Sequence, residues 1–143
     1  MARMKIAMPD DWHFSTQIVV RVTDLNYGNH LGNEQFLAYA QIARVAFLEK
    51  HGFTELDFGG VSLIQADAAI IYKGEGHLND TVTIGVAAVQ EGNSSFNLFY
   101  RFTNETTSRI MAEIRTAIVC FDYEKGKPVG IPECVKKSTL FSA

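Results

Sequence analysis

Apolar positions recur with a helical period along one stretch of the chain. Phe36, Ala40, Ala43 and Phe47 fall at i, i+4, i+7 and i+11, with Leu37 and Leu48 widening the stripe. This spacing predicts a helix over 33–50. Asn33 is a good N-cap type, Glu34 suits the first turn, and Lys50, His51 and Gly52 supply a C-terminal stop. At about 1.5 Å per residue the helix is a rod roughly 27 Å long. Alanines at 38, 40, 43 and 46 keep it slim enough to lie close against a sheet.

Elsewhere the period shortens toward two. Residues 14–23, 61–73, 81–91, 94–103 and 108–123 are rich in β-branched and aromatic types and read as strands. Turn-forming residues separate them: 74–80, the Gly92-Asn93 hairpin signal, 104–107, and Glu124-Lys-Gly-Lys-Pro128 at the end of the sheet. Ile131-Pro132 leads into a tail with room for one helical turn. A strand, a long helix and then four strands joined by short turns imply an α+β fold, an antiparallel sheet with the helix on one face. Long strands leave a long edge, and pairing that edge with a second copy is the simplest way to cover it. A homo-oligomer is expected.

Composition narrows the classes. At 143 residues the chain suits a single domain over 1–143, with roughly the first 12 and last 10 residues peripheral. A formal charge of −3 leaves no basic footprint for nucleic acid. No stretch approaches the roughly 18 apolar residues of a membrane span, and residues 1–11 lack the apolar run of a signal peptide. Cys120 and Cys134 are too few for a disulfide framework and lack metal-ligand spacing, so reduced thiols in a cytoplasmic protein are expected.

Candidate chemistry concentrates in the turn before the helix. Asp24, Asn26, Asn29, His30, Asn33 and Glu34 lie there, with Gly28 and Gly32 between them. The turn reads Arg21-Val-Thr-Asp24-Leu-Asn26-Tyr-Gly-Asn29-His30-Leu-Gly32-Asn33, and Phe36 and Ala43-Arg44 follow in the helix. It resembles the pattern Arg-aromatic-x-Asp-x-Asp-x-x-Gly-His-x-Asn-Asn of hotdog-fold acyl-CoA thioesterases, in the branch like 4-hydroxybenzoyl-CoA thioesterase. The later Tyr72-Lys-Gly-Glu-Gly-His-Leu-Asn79-Asp80 looks like a second turn of that family. The resemblance runs over roughly residues 16–133.

The resemblance implies a hotdog fold, one long helix wrapped by a curved antiparallel five-stranded sheet. It also implies a homodimer or a tetramer of dimers, and hydrolysis of an acyl-CoA to free acid and coenzyme A. No metal is implied, and no cofactor beyond the coenzyme A of the substrate. The backbone amides of Gly32 and Asn33 match the family's oxyanion position, where helix-terminal N–H groups stabilise developing charge. His30 and Asn33 would position water or thioester. The family's catalytic carboxylate position holds Asn26, and a neutral amide is neither base nor nucleophile at pH 7. Asp24 matches the first acidic position, and replacement carboxylates are Glu34 or Asp67 of the partner subunit. Lys73 and Arg101 are cations that could meet coenzyme A phosphates. The alternative is a hotdog protein that binds an acyl group or acyl-CoA without turnover. A hydratase reading fits worse, because Asp24-Leu-Asn26-Tyr-Gly-Asn-His30 has one residue too many for Asp-x-Asn-Pro-x-His and lacks the proline.

Overall fold

The helix forms where the spacing places it. In a computed structural model of the chain, which describes residues 3–141, α1 spans Asn33–Lys50. Its N-cap is Gly32 and no side chain caps it, so Asn33 is the first helical residue and not the cap. The reason is local. Gly32 is extended and gives its N–H to the Asp24 carbonyl at 3.0 Å, while its own carbonyl receives the Gln35 N–H at 2.9 Å.

One face of α1 is buried through Phe36, Tyr39, Ala40, Ala43, Phe47 and Leu48. Leu37 does not widen that stripe. It is 40% exposed and groups with Ile42 (46%) and Val45 (49%) on a second apolar face turned away from the sheet. A helix apolar on both faces is one suited to further burial.

The sheet comprises β1 (Phe14–Val19), β2 (Ser62–Tyr72), β3 (Thr81–Gln90), β4 (Ser95–Asn104) and β5 (Arg109–Asp122). All pairings are antiparallel, in the order β1-β3-β4-β5-β2. A two-residue β6 (Lys127–Pro128) folds back on β5, where only a turn was expected, and α2 (Glu133–Lys136) is the single helical turn of the tail. β1 stops short of residue 23 because Val22–Asp24 winds into a 3-10 turn, drawn in by the Asp24 carboxylate accepting from the Arg21 N–H at 3.1 Å.

Aromatic contacts join helix to sheet: Phe36 stacks on Phe102 at 5.5 Å, and Phe14 meets Phe47 at 5.9 Å. Burying each such ring stabilises the fold by about 1.5–3 kcal/mol. The result is the hotdog arrangement, a long helix held in a curved antiparallel sheet. β2 is left as an edge strand. Its register on β5 shifts between Gln65 and Asp67, and Gln65, Ala66, Asp67 and Ala68 are exposed.

Candidate active site at the start of the long helix

The turn before α1 is built around Asn26. Its side-chain oxygen accepts the N–H groups of Gly28 at 2.9 Å and His30 at 3.2 Å, while its own N–H bonds to the His30 carbonyl at 2.8 Å. This is the Asx geometry that makes asparagine and aspartate turn formers. Asn29 takes a left-handed backbone (φ 64°) and completes the turn. A bridge between Leu25 and Leu31 closes the loop at its base. His30 is thereby presented at the mouth of the turn, half-buried, with its Nε2 3.5 Å from the Glu75 carboxylate.

A second loop supplies that carboxylate. The Leu31 N–H donates to the Gly76 carbonyl at 2.7 Å and pins residues 73–80 against the first turn. Glycine at 76 leaves room for this close approach: a Cβ there would lie 2.8 Å from the Met111 methyl and 3.2 Å from Leu31, so a larger residue would have to displace the Met111 side chain. The far end of the loop is fixed by buried Asp80, which accepts the His77 N–H at 2.9 Å and the Asn104 amide at 2.8 Å.

Between the two loops opens a cleft of about 350 Å³, lined by Asn26, His30, Leu31, Asn33, Phe36, Tyr72, Lys73, Gly74 and Glu75. The Tyr72 hydroxyl donates to the Asn33 carbonyl at 3.4 Å, and the Phe36 and Tyr72 rings meet edge to face at 5.2 Å. An adjoining cleft of about 520 Å³ shares Lys73, Gly74 and Glu75 and adds His77, Thr107, Arg109 and Met111. Among the described residues, no backbone carbonyl accepts from the N–H of Asn33 or Glu34. At the Asn33 end of the cleft the helix therefore offers a free donor and its positive dipole.

Three of the expected residues, Asn26, His30 and Asn33, share this cleft. The other expected residues lie apart from it. Asp24 is 3% exposed, and its carboxylate accepts the Tyr39 hydroxyl at 2.6 Å and the Arg21 guanidinium at 3.2 and 3.3 Å. Burial opposes its charge, but the Tyr39 and Arg21 donors outweigh that and hold its carboxyl below the usual range. Burial and the Asp24 charge together push the Tyr39 hydroxyl well above an ordinary phenol. Asp24 is therefore corrected from candidate base to anchor: it ties the turn to α1.

The Gly32 amide is also corrected, because its N–H is spent on the Asp24 carbonyl; of the two expected oxyanion donors, Asn33 alone remains free. Glu34 folds back so that its carboxylate fills the space beside Gly32 where a Cβ would stand, and it does not line the cleft. Asp67 lies on the exposed β2 edge, 3.2 Å from Arg115, outside this chain's cleft. Lys73 does reach the cleft, although its ammonium pairs with Glu113 at 2.9 Å. Arg101 is held away by Glu113 at 3.4 Å and the Trp12 ring at 4.9 Å. Burial raises and the two cations lower the Glu113 carboxyl, and the cations prevail.

The sequence reading missed Glu75, His77 and Arg109. His77 is exposed, yet its ring meets that of His30 edge to face at 5.0 Å. The resemblance of 72–80 to a second family turn was the signal that could have singled out Glu75 and His77.

The family model described as the thioesterase-like superfamily matches residues 20–138. No curated protein matches the sequence. Among solved structures, the chain is similar to a 1,4-dihydroxy-2-naphthoyl-CoA thioesterase from Synechocystis, with a TM-score of 0.81 at 18% identity over 90% of this chain and 94% of that one. It is also similar to a probable thioesterase from Escherichia coli, with a TM-score of 0.75 at 22% identity over 91% of this chain and 100% of that one. A probable thioesterase from Bartonella henselae gives 0.72 at 16% identity, covering 85% and 100%.

Proposed function

The chain belongs to the thioesterase-like superfamily, and from that premise we propose that it hydrolyses an acyl-CoA thioester to free acid and coenzyme A. One observation carries this reading: a free helix-terminal N–H at Asn33 and the His30–Glu75 pair converge on a single cleft. The thioester carbonyl lies toward Asn33, whose N–H meets the developing oxyanion. The His30–Glu75 pair orients the attacking water and takes its proton, the task Asn26 cannot perform. Leu31, Phe36 and Tyr72 give the acyl group an apolar wall. The coenzyme A arm follows the adjoining cleft, where Lys73 and Arg109 supply positive charge for phosphates.

The active form is a homodimer or a tetramer built from two dimers, in which the exposed β2 edge of one protomer pairs with its partner's. The long exposed edge and the second apolar face of α1 support that assembly. Two unpaired cysteines, Cys120 buried and Cys134 exposed, fit a reducing cytoplasmic setting. No helix among the described residues is long and apolar enough to cross a membrane.

The test is thiol release from a panel of acetyl-, hexanoyl-, palmitoyl- and benzoyl-CoA. Saturable release for at least one member is expected. Tight acyl-CoA binding with no thiol formed would instead support a protein that holds its ligand, the reading that the neutral Asn26 favours.

A further inference from the structure

We infer that His30, Glu75 and His77 form a binding site for a single divalent transition ion of the zinc class. One nitrogen from each ring and one carboxylate oxygen lie within 4.8 Å of one another. The Glu75 oxygen is 3.5 Å from His30 Nε2 and 3.9 Å from His77 Nε2. Ligands at about 2.1 Å around a tetrahedral zinc are separated by about 3.4 Å, so the Glu75 side chain and the two histidine rings need to rotate inward to complete the geometry.

Independent features of the fold prepare the site. The Leu31–Gly76 backbone bond clamps the loop bearing Glu75 and His77 to the turn bearing His30. His77 turns its Nδ1 toward the Asp80 carboxylate at 3.8 Å, which leaves Nε2 for the ion. Asp80 is itself buried and held by Asn104. Among the described residues, neither ring makes a hydrogen bond that ligation would have to break. The donor set also selects the ion, since two imidazoles favour zinc-class metals over magnesium or calcium.

Three protein ligands leave a position open for water. Glu75 lines both clefts and His30 lines the one containing Asn26 and Asn33, so this water stands at the mouth of the proposed thioester site. Its catalytic consequence rests on the acyl-CoA reading. An ion held there lowers the pKa of its water, whose proton passes to the Glu75 carboxylate oxygen that does not ligate and from there to solvent. The hydroxide forms a C–O bond to the thioester carbonyl, the C–S bond breaks with its electron pair going to sulfur, and the thiolate recovers a proton from solvent. The His30–Glu75 pair then handles water through the ion.

The experiment is titration of chelator-stripped protein with Co²⁺, following its visible absorption, for wild type, His77→Asn and Glu75→Gln. Thermal unfolding of each variant shows that it is folded. Wild type is expected to saturate at one ion per chain, to yield that ion to Zn²⁺, and to keep it against excess Mg²⁺. Each variant should bind at least tenfold more weakly. Absence of a stoichiometric signal, or titrations unchanged in folded variants, overturns the site. Thiol release from stripped and zinc-loaded protein separates the two readings. Faster release on loading supports the ion's catalytic role. Equal release in both states overturns that role and leaves the thioesterase reading standing, whereas ion binding without release in either state counts against hydrolysis alone.

Discussion

The sharpest chemical assignments concern single atoms. Asn33 begins α1, and its side chain is separable from its N–H. Proline is tolerated at the first helical position, and Gly32 before it already has the extended backbone that proline requires (φ −65°, ψ 145°). Asn33→Pro should therefore fold while lacking one donor, and kcat should fall about 10²–10³-fold relative to Asn33→Ala. Equal rates in the two variants would remove the helix terminus from the mechanism. Glu75→Gln keeps the shape of the side chain and removes its charge. Steady-state kinetics should show kcat reduced by about 10²–10⁴, with thermal stability little altered because the side chain is exposed. At this scale the sequence was only partly informative. Asn26, His30 and Asn33 were legible because they lie within one local turn. Glu75 was not, because its contact with His30 depends on a backbone bond between two distant loops.

At the scale of elements, Asp24 and Tyr39 decide how the turn meets the helix. Tyr39 is fully buried, and its hydroxyl is the shortest bond to the Asp24 carboxylate. Tyr39→Phe should cost about 1.5–3 kcal/mol in denaturant unfolding, as expected for a lost hydrogen bond to a charged group. The pH dependence has a definite sign. The Asp24 carboxyl is depressed in the folded protein, so its contribution is complete above its ordinary value of 3.8 and is lost as pH falls below that toward the folded value. In Tyr39→Phe the folded value moves back up, and the acid-dependent loss of stability should shrink. An unfolding profile identical to wild type between pH 2 and 5 would contradict this.

The helix and strands were legible because their periods are local: α1 was placed at 33–50, and the strand bounds shifted by only a few residues. What spacing did not disclose is the Gly32 amide bonding back to Asp24, which made Gly32 the cap and removed it from the oxyanion pair. Leu37 was misplaced for a related reason. Apolar residues interrupt the polar side of the helix as well as filling the buried side, so spacing alone did not separate the sheet-facing residues from Leu37, Ile42 and Val45.

At the scale of the whole molecule, the single chain leaves the β2 edge and an apolar helix face uncovered. Light scattering should give a native mass of two or four times the 15.9 kDa chain, and a stable monomer at micromolar concentration would contradict the proposed assembly. The strand alternation, the single long helix and the turn motif all favour one architecture, and the thioesterase-like superfamily match agrees with it. The reaction is tested most directly by thiol release from the acyl-CoA panel, with wild type and Asn26→Asp measured side by side. An aspartate at 26 can accept the same two backbone N–H groups, so the turn should survive the exchange. Turnover by wild type itself is the predicted result, because the proton-accepting group lies in the second loop and not at residue 26. Release by Asn26→Asp alone would contradict that claim and mark the natural chain as a thioesterase scaffold that binds without hydrolysing.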